Sequence, residues 1–114
     1  MTQRLRLRRF QRLGAADVAA TLKAGKPVRT PAGLVLYRRP NEVGYARLGL
    51  IIPKRLVRTA VARNRIRRLA REAFRLEQLR LGGVDCVVRM TRPLGDGELR
   101  LADFQALMRR AADA

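Results

Sequence analysis

The chain has 114 residues, a length suited to one domain with a modest core, and 47% are hydrophobic, which fits a folded protein. Lys and Arg number 26 against 9 Asp and Glu, and this net +17 calls for a polyanionic partner, either a phosphate backbone or an anionic membrane. The absence of His excludes a His base, a Ser-His-Asp triad and a His-ligated metal, and the single Cys86 excludes an internal disulfide or a zinc cluster.

Residues 1–12 carry Arg4, Arg6, Arg8, Arg9 and Arg12 among Leu5, Leu7 and Phe10, and read as a basic arm, solvated or ordered on nucleic acid. They lack the apolar core of a signal peptide, and no stretch approaches the roughly 20 apolar residues of a membrane span. A cytoplasmic protein is expected. Residues 13–114 form the expected single domain. Ala15, Val18, Ala19 and Leu22 fall on one face of a short helix, with Asp17 in its first turn, Lys23 in its last, and Gly25 and Pro27 stopping it. Val28–Thr30 comes next, then a strand over Leu34–Arg39, a turn over 40–44 and a strand over Tyr45–Ile52. The last two read as a β-hairpin with a longer loop.

The connector from Pro53 to Arg58 leads to the strongest helix, with Thr59 as its N-cap and Gly82-Gly83 ending the segment. Asp85–Thr91 makes a mostly apolar strand in which Cys86 reads as a buried structural thiol. Pro93, Gly95 and Gly97 break the chain before a last amphipathic helix over Leu101–Arg110, with Leu101, Phe104, Leu107 and Met108 on one side. The result is an α+β sandwich whose helices cover a small sheet.

Wound at about 100° per residue, the segment 59–75 gathers Ala62, Ile66, Leu69, Ala70 and Ala73 on one stripe, with Phe74 and Leu76 towards its edges. The opposite arc receives Asn64, Arg67, Arg68, Arg71 and Arg75, and Arg63 and Arg65 flank the stripe. Most charge runs are solvated faces that mix signs. Here Arg68 with Glu72 is the one opposite-charge i,i+4 pair. Three like-charge pairs (Arg63 with Arg67, Arg67 with Arg71, Arg71 with Arg75) each destabilise the isolated helix slightly. A repeated local loss implies a partner that offsets it. Only Lys23, Lys26 and Lys54 are lysines, and guanidinium grips phosphate and stacks on bases, although a GC-rich genome also favours Arg codons. An Arg-rich helix also fits a DNA major groove, with Asn64 reading adenine. Strands on both sides of the helix favour RNA over a helix-turn-helix, without excluding DNA.

The run Ala62-Arg63-Asn64-Arg65-Ile66-Arg67-Arg68 resembles the Arg-Asn-Arg signature of the bacterial ribonuclease P protein family. Leu48-Gly49-Leu50 and the pair Lys54-Arg55 precede it at the family's spacing, and Arg71-Glu72-Ala73-Phe74-Arg75 follows. Leu34-Val35-Leu36-Tyr37 resembles the family's first long strand and Asp85-Cys86-Val87-Val88 its last. The likeness covers about residues 13–112.

The resemblance implies a small, mostly antiparallel four-stranded sheet covered by helices in α-β-β-β-α-β-α order. This is a ribosomal-protein S5 domain 2-like fold with a left-handed βαβ crossover, against the general right-handed rule. It implies the protein subunit of a tRNA-processing endoribonuclease. Lys54, Arg55, Arg63, Asn64, Arg65, Arg67, Arg68 and Arg71 would contact the catalytic RNA, and Val18, Leu22, Arg29 and Tyr37 the single-stranded 5′ leader of precursor tRNA. No catalytic residue and no metal site are implied in the protein; the RNA subunit would use Mg²⁺. The partners implied are the catalytic RNA and precursor tRNA, with no membrane, and a monomeric protein in a ribonucleoprotein, a dimer of holoenzymes being left open. Two departures stand out. The family usually has phenylalanines at Val18 and Leu22, leaving Tyr37 as the clearest stacking platform, and Pro53 replaces a common serine and is expected at a strand's end. The rivals are a ribosomal or ribosome-assembly protein using the same face and a cationic membrane-active protein, the latter disfavoured by the absence of Trp.

Overall fold

The computed structural model describes residues 11–93 and 99–114. Of the basic arm, only Gln11 and Arg12 fall among them; Arg4, Arg6, Arg8, Arg9 and Phe10 lie outside, as do Gly95 and Gly97. The elements run α1 (Ala15–Ala24), β1 (Lys26–Arg29), β2 (Leu34–Pro40), β3 (Arg47–Ile51), α2 (Ala60–Leu81), β4 (Val84–Met90) and α3 (Leu101–Ala112). This is the expected α-β-β-β-α-β-α order.

The strands form one sheet in the order β1-β2-β4-β3. β1–β2 and β2–β4 are antiparallel, and β3–β4 is parallel. The hairpin expected between the second and third strands is therefore wrong. The hairpin is β1–β2, and β4 returns through α2 to lie between β2 and β3. The cause is burial. Six of the seven residues of β4 are buried, on both faces, so it belongs inside the sheet rather than at an edge.

Alternation along the strands sorts the sheet into two faces. Leu34, Leu36, Leu48, Val84, Cys86, Val88 and Met90 point into a core shared with Ile66, Ala70, Ala73 and Phe74 of α2 and Phe104, Leu107 and Met108 of α3. Phe74, expected at the edge of the helical stripe, is fully buried. Burial pushes the Cys86 thiol up to about 12, so it stays a protonated packing group. The opposite face holds three rows across the strands: Arg29, Val35, Arg89 and Ile51; Pro27, Tyr37, Val87 and Gly49; and Arg39, Asp85 and Arg47.

Helix α1 covers this second face. A Cβ at Gly49 would sit 2.8 Å from Val18 Cγ2, so glycine is what lets the helix lie this close to β3. Helix α2 begins where Thr59 accepts a hydrogen bond from the Ala62 N–H (3.1 Å) and ends at Gly82, whose φ of 71° favours glycine.

Candidate nucleic-acid interface

Two surfaces hold the sequence-predicted residues. The first is the outer side of α2. Asn64, Arg65 and Arg68 are exposed and Arg63, Arg67, Arg71 and Arg75 are half-buried, while Ile66, Ala70 and Ala73 anchor the helix beneath. Asn64 Oδ1 accepts from Arg67 Nη1 at 3.1 Å, which orients that guanidinium along the helix. Burial holds the Arg71 guanidinium below its ordinary value, helped by the positive charges of Arg12 and Arg67.

Glu72 pairs with Arg75, one residue closer than the i,i+4 spacing to Arg68 suggested. Arg75 Nε donates to Glu72 Oε2 at 2.9 Å, and its Nη2 donates to Oε1. The acid neutralises the end of the run, and Arg68 forms no ion pair among the described residues.

The signature arginines do a second job. Arg63 Nη1 donates to the carbonyls of Val57 (3.0 Å) and Arg58 (3.1 Å), tying the start of α2 to the connector. That connector turns tightly: the N–H groups of Leu56 and Val57 both donate to the Pro53 carbonyl at 3.0 Å, which leaves Lys54 and Arg55 exposed at the turn. Pro53 stands two residues beyond β3, at the strand's end as expected. Arg65 Nη2 donates to the Leu99 carbonyl at 3.0 Å, bracing the approach to α3.

The second surface lies between α1 and the sheet. Val18 rests over Gly49, Leu22 is half-buried on the same helix, and Tyr37 is half-buried on β2 in the row with Val87. Arg29 is exposed on the edge strand, one row away from Tyr37.

The acid that organises this face lies outside the sequence-predicted site residues. Asp85, fully buried on β4, accepts from Arg47 Nε (2.8 Å) and Nη2 (2.9 Å), Asn41 Nδ2 (2.9 Å) and Arg39 Nη2 (3.1 Å). Burial pushes its carboxyl up, but the hydrogen bonds from Arg47, Asn41 and Arg39 more than reverse this and hold it below the usual value. Asp17 of α1 lies 3.9 Å from Arg39 and 3.8 Å from Arg47, so the network also bears on the helix that covers this face. A lone acid inside an apolar strand of a strongly basic chain was the available signal, because a buried carboxylate requires partners. Among the described residues no three His, Cys, Asp or Glu side chains come together to hold a metal, and the buried acids Asp85 and Glu77 are both engaged by arginines.

A family model described as Ribonuclease P matches residues 3–112. The ribonuclease P protein component of Nitrosomonas europaea is 45% identical over 83 residues, spanning 73% of this chain and 70% of that protein. That of Chromobacterium violaceum is 42% identical over 84 residues, spanning 74% and 69%. The solved structure of Staphylococcus aureus RNase P protein superposes with a TM-score of 0.73 at 27% identity, covering 90% of this chain and 93% of that one. The RNase P protein from Thermotoga maritima gives 0.68 at 27% identity, covering 94% and 92%. These likenesses span both surfaces and the sheet between them, and the chain belongs to the ribonuclease P protein family.

Proposed function

We propose that this chain acts as the protein subunit of ribonuclease P, binding the catalytic RNA through α2 and its connector and the 5′ leader of precursor tRNA in the cleft between α1 and the sheet. The observation that carries the reading is the placement of two different surfaces on opposite sides of one sheet. A guanidinium face on α2 suits a folded RNA backbone, and a half-apolar cleft with one exposed arginine suits a flexible single strand. A protein so built holds two RNAs at once.

Its contribution is electrostatic and positional. Lys54, Arg55, Arg63, Arg65, Arg67, Arg68 and Arg71 offset phosphate charge and Asn64 adds a neutral hydrogen-bonding group, while Arg63 also ties the connector to the start of α2 through the Val57 and Arg58 carbonyls. Gripping the leader converts placement of the scissile phosphate from a search into a fixed geometry. Phosphodiester hydrolysis belongs in this reading to the RNA subunit and its Mg²⁺. A cytoplasmic location accords with it; among the described residues no helix is long and apolar enough to cross a membrane.

The test is reconstitution. The pure protein, added to the catalytic RNA at a Mg²⁺ concentration too low for the RNA alone, should restore removal of the leader from precursor tRNA. Failure to do so, with rRNA bound tightly instead, would favour the ribosome-assembly reading.

A further inference from the structure

The segment ahead of α1 is strapped to the rest of the domain at three points. Gln11, itself buried, donates from Nε2 to the Ala46 carbonyl (3.1 Å) and to Gln78 Oε1 of α2 (2.7 Å). Arg12 forms a parallel bridge with Leu48 on the edge of β3, and the Leu13 N–H donates to the Leu48 carbonyl at 2.9 Å. Arg12 is thus fixed by its backbone between two anchored neighbours, while its side chain is exposed.

That side chain lies beside α2. Arg12 lines one side of an open cleft whose other side is Asn64, Arg67, Arg68 and Arg71. The acid at the cleft, Glu72, has both oxygens occupied by Arg75. Like charges brought together by two separate pieces of chain cost energy in the free protein, and a phosphate placed between them would relieve it.

We infer that Arg12 completes an RNA phosphate site with Arg67 and Arg71, gripping a phosphate of the catalytic RNA from the side opposite α2. The inference rests on reading α2 as the catalytic-RNA face. It adds a contact from outside the helix, so one RNA strand is held from two directions.

The test is equilibrium binding of the catalytic RNA across a monovalent-salt series, with circular dichroism confirming the fold. Arg12→Gln should weaken binding about tenfold and flatten the log–log salt dependence by roughly one contact. Arg12→Lys should keep the salt slope while losing part of the affinity, since ammonium retains the charge and not the fork. Binding of precursor tRNA without the catalytic RNA should not change. Unaltered affinity and slope for Arg12→Gln, while Arg67→Gln and Arg71→Gln both fall, would overturn the Arg12 contact and leave the α2 reading standing. No effect from any of the three would overturn both, and a loss confined to precursor tRNA would overturn the assignment to the catalytic RNA.

Discussion

Arg47 and Asp85 face each other at the same register on the parallel strands β3 and β4, and the guanidinium grips both carboxylate oxygens, Nε to Oδ1 at 2.8 Å and Nη2 to Oδ2 at 2.9 Å. Parallel β3 is joined to β4 through all of α2, so this fork is the polar clasp that marks where the crossover returns. Removing the acid would leave Arg47, Arg39 and Asn41 without their buried acceptor, with only the more distant, half-exposed Asp17 carboxylate beside the two arginines. Asp85→Ala should cost about 3 kcal/mol, near the low end for a broken buried pair because the arginines keep some access to water. Urea denaturation measures it, and a loss under 1 kcal/mol would mean the network is dispensable.

The same carboxylate sets the acid limit of stability. Its folded value lies below the unfolded value of about 3.9, so its stabilisation is complete above that pH and disappears as pH falls through the folded value. Glu72, held down by its hydrogen bond from Arg75, acts in the same direction. The urea midpoint should hold steady from about pH 7 to pH 5 and drop below about pH 4. The drop should be shallower in Asp85→Asn, which has no charge to lose at that position; equal slopes in the two proteins would count against Asp85 as a source.

Gly49 offers a test of how α1 is seated. A methyl group there would sit 2.8 Å from Val18 Cγ2, too close to the helix it supports, while Leu13 Cβ at 3.5 Å would be in ordinary contact. Gly49→Ala should destabilise by about 1–2 kcal/mol through overpacking. Val18→Ala added to it should recover part of the loss, because the clash is with that branch. Thermal unfolding of the two single variants and the double variant reads the coupling; strict additivity would show that the contact does not limit the helix position.

Much of α2 was legible because its signals are local. The 3.6-residue stripe, Thr59 and Gly82 all act within a few positions of the residues they govern. Strand pairing is not local. The stretch 40–44 reads as a hairpin turn, yet its Asn41 bonds Asp85 and the Gly83 carbonyl instead, because β4 needs neighbours on both sides. The choice of Glu72 between Arg68 and Arg75 turned on side-chain direction, which periodicity does not specify. Arg12 is marked in the sequence only as one of five arginines in a basic arm, with nothing to tie it to α2. It joins the α2 cleft only because β3 lies beneath it, whereas the buried acid at Asp85 was visible in the sequence as a charge with no reason to be in an apolar strand.

The cleft assignment stands or falls on Tyr37. In the second row of the sheet it lies between Pro27 on the edge strand and fully buried Val87, and it is itself half-buried. Among the four residues assigned to the cleft, Val18 and Leu22 offer aliphatic walls and Arg29 a charge, so Tyr37 is the one of them with an aromatic ring for a base. A single base–aromatic stack is worth about 1–3 kcal/mol by alanine substitution, and with one platform the lower half of that range applies. Tyr37→Ala should weaken binding of leader-bearing precursor tRNA to the holoenzyme about tenfold and leave mature tRNA within about twofold. Tyr37→Phe keeps the ring and should retain most of the affinity, which separates stacking from any role of the hydroxyl. Equal losses for precursor and mature tRNA would remove the leader from this cleft, while binding of the catalytic RNA through α2 would be unaffected by that result.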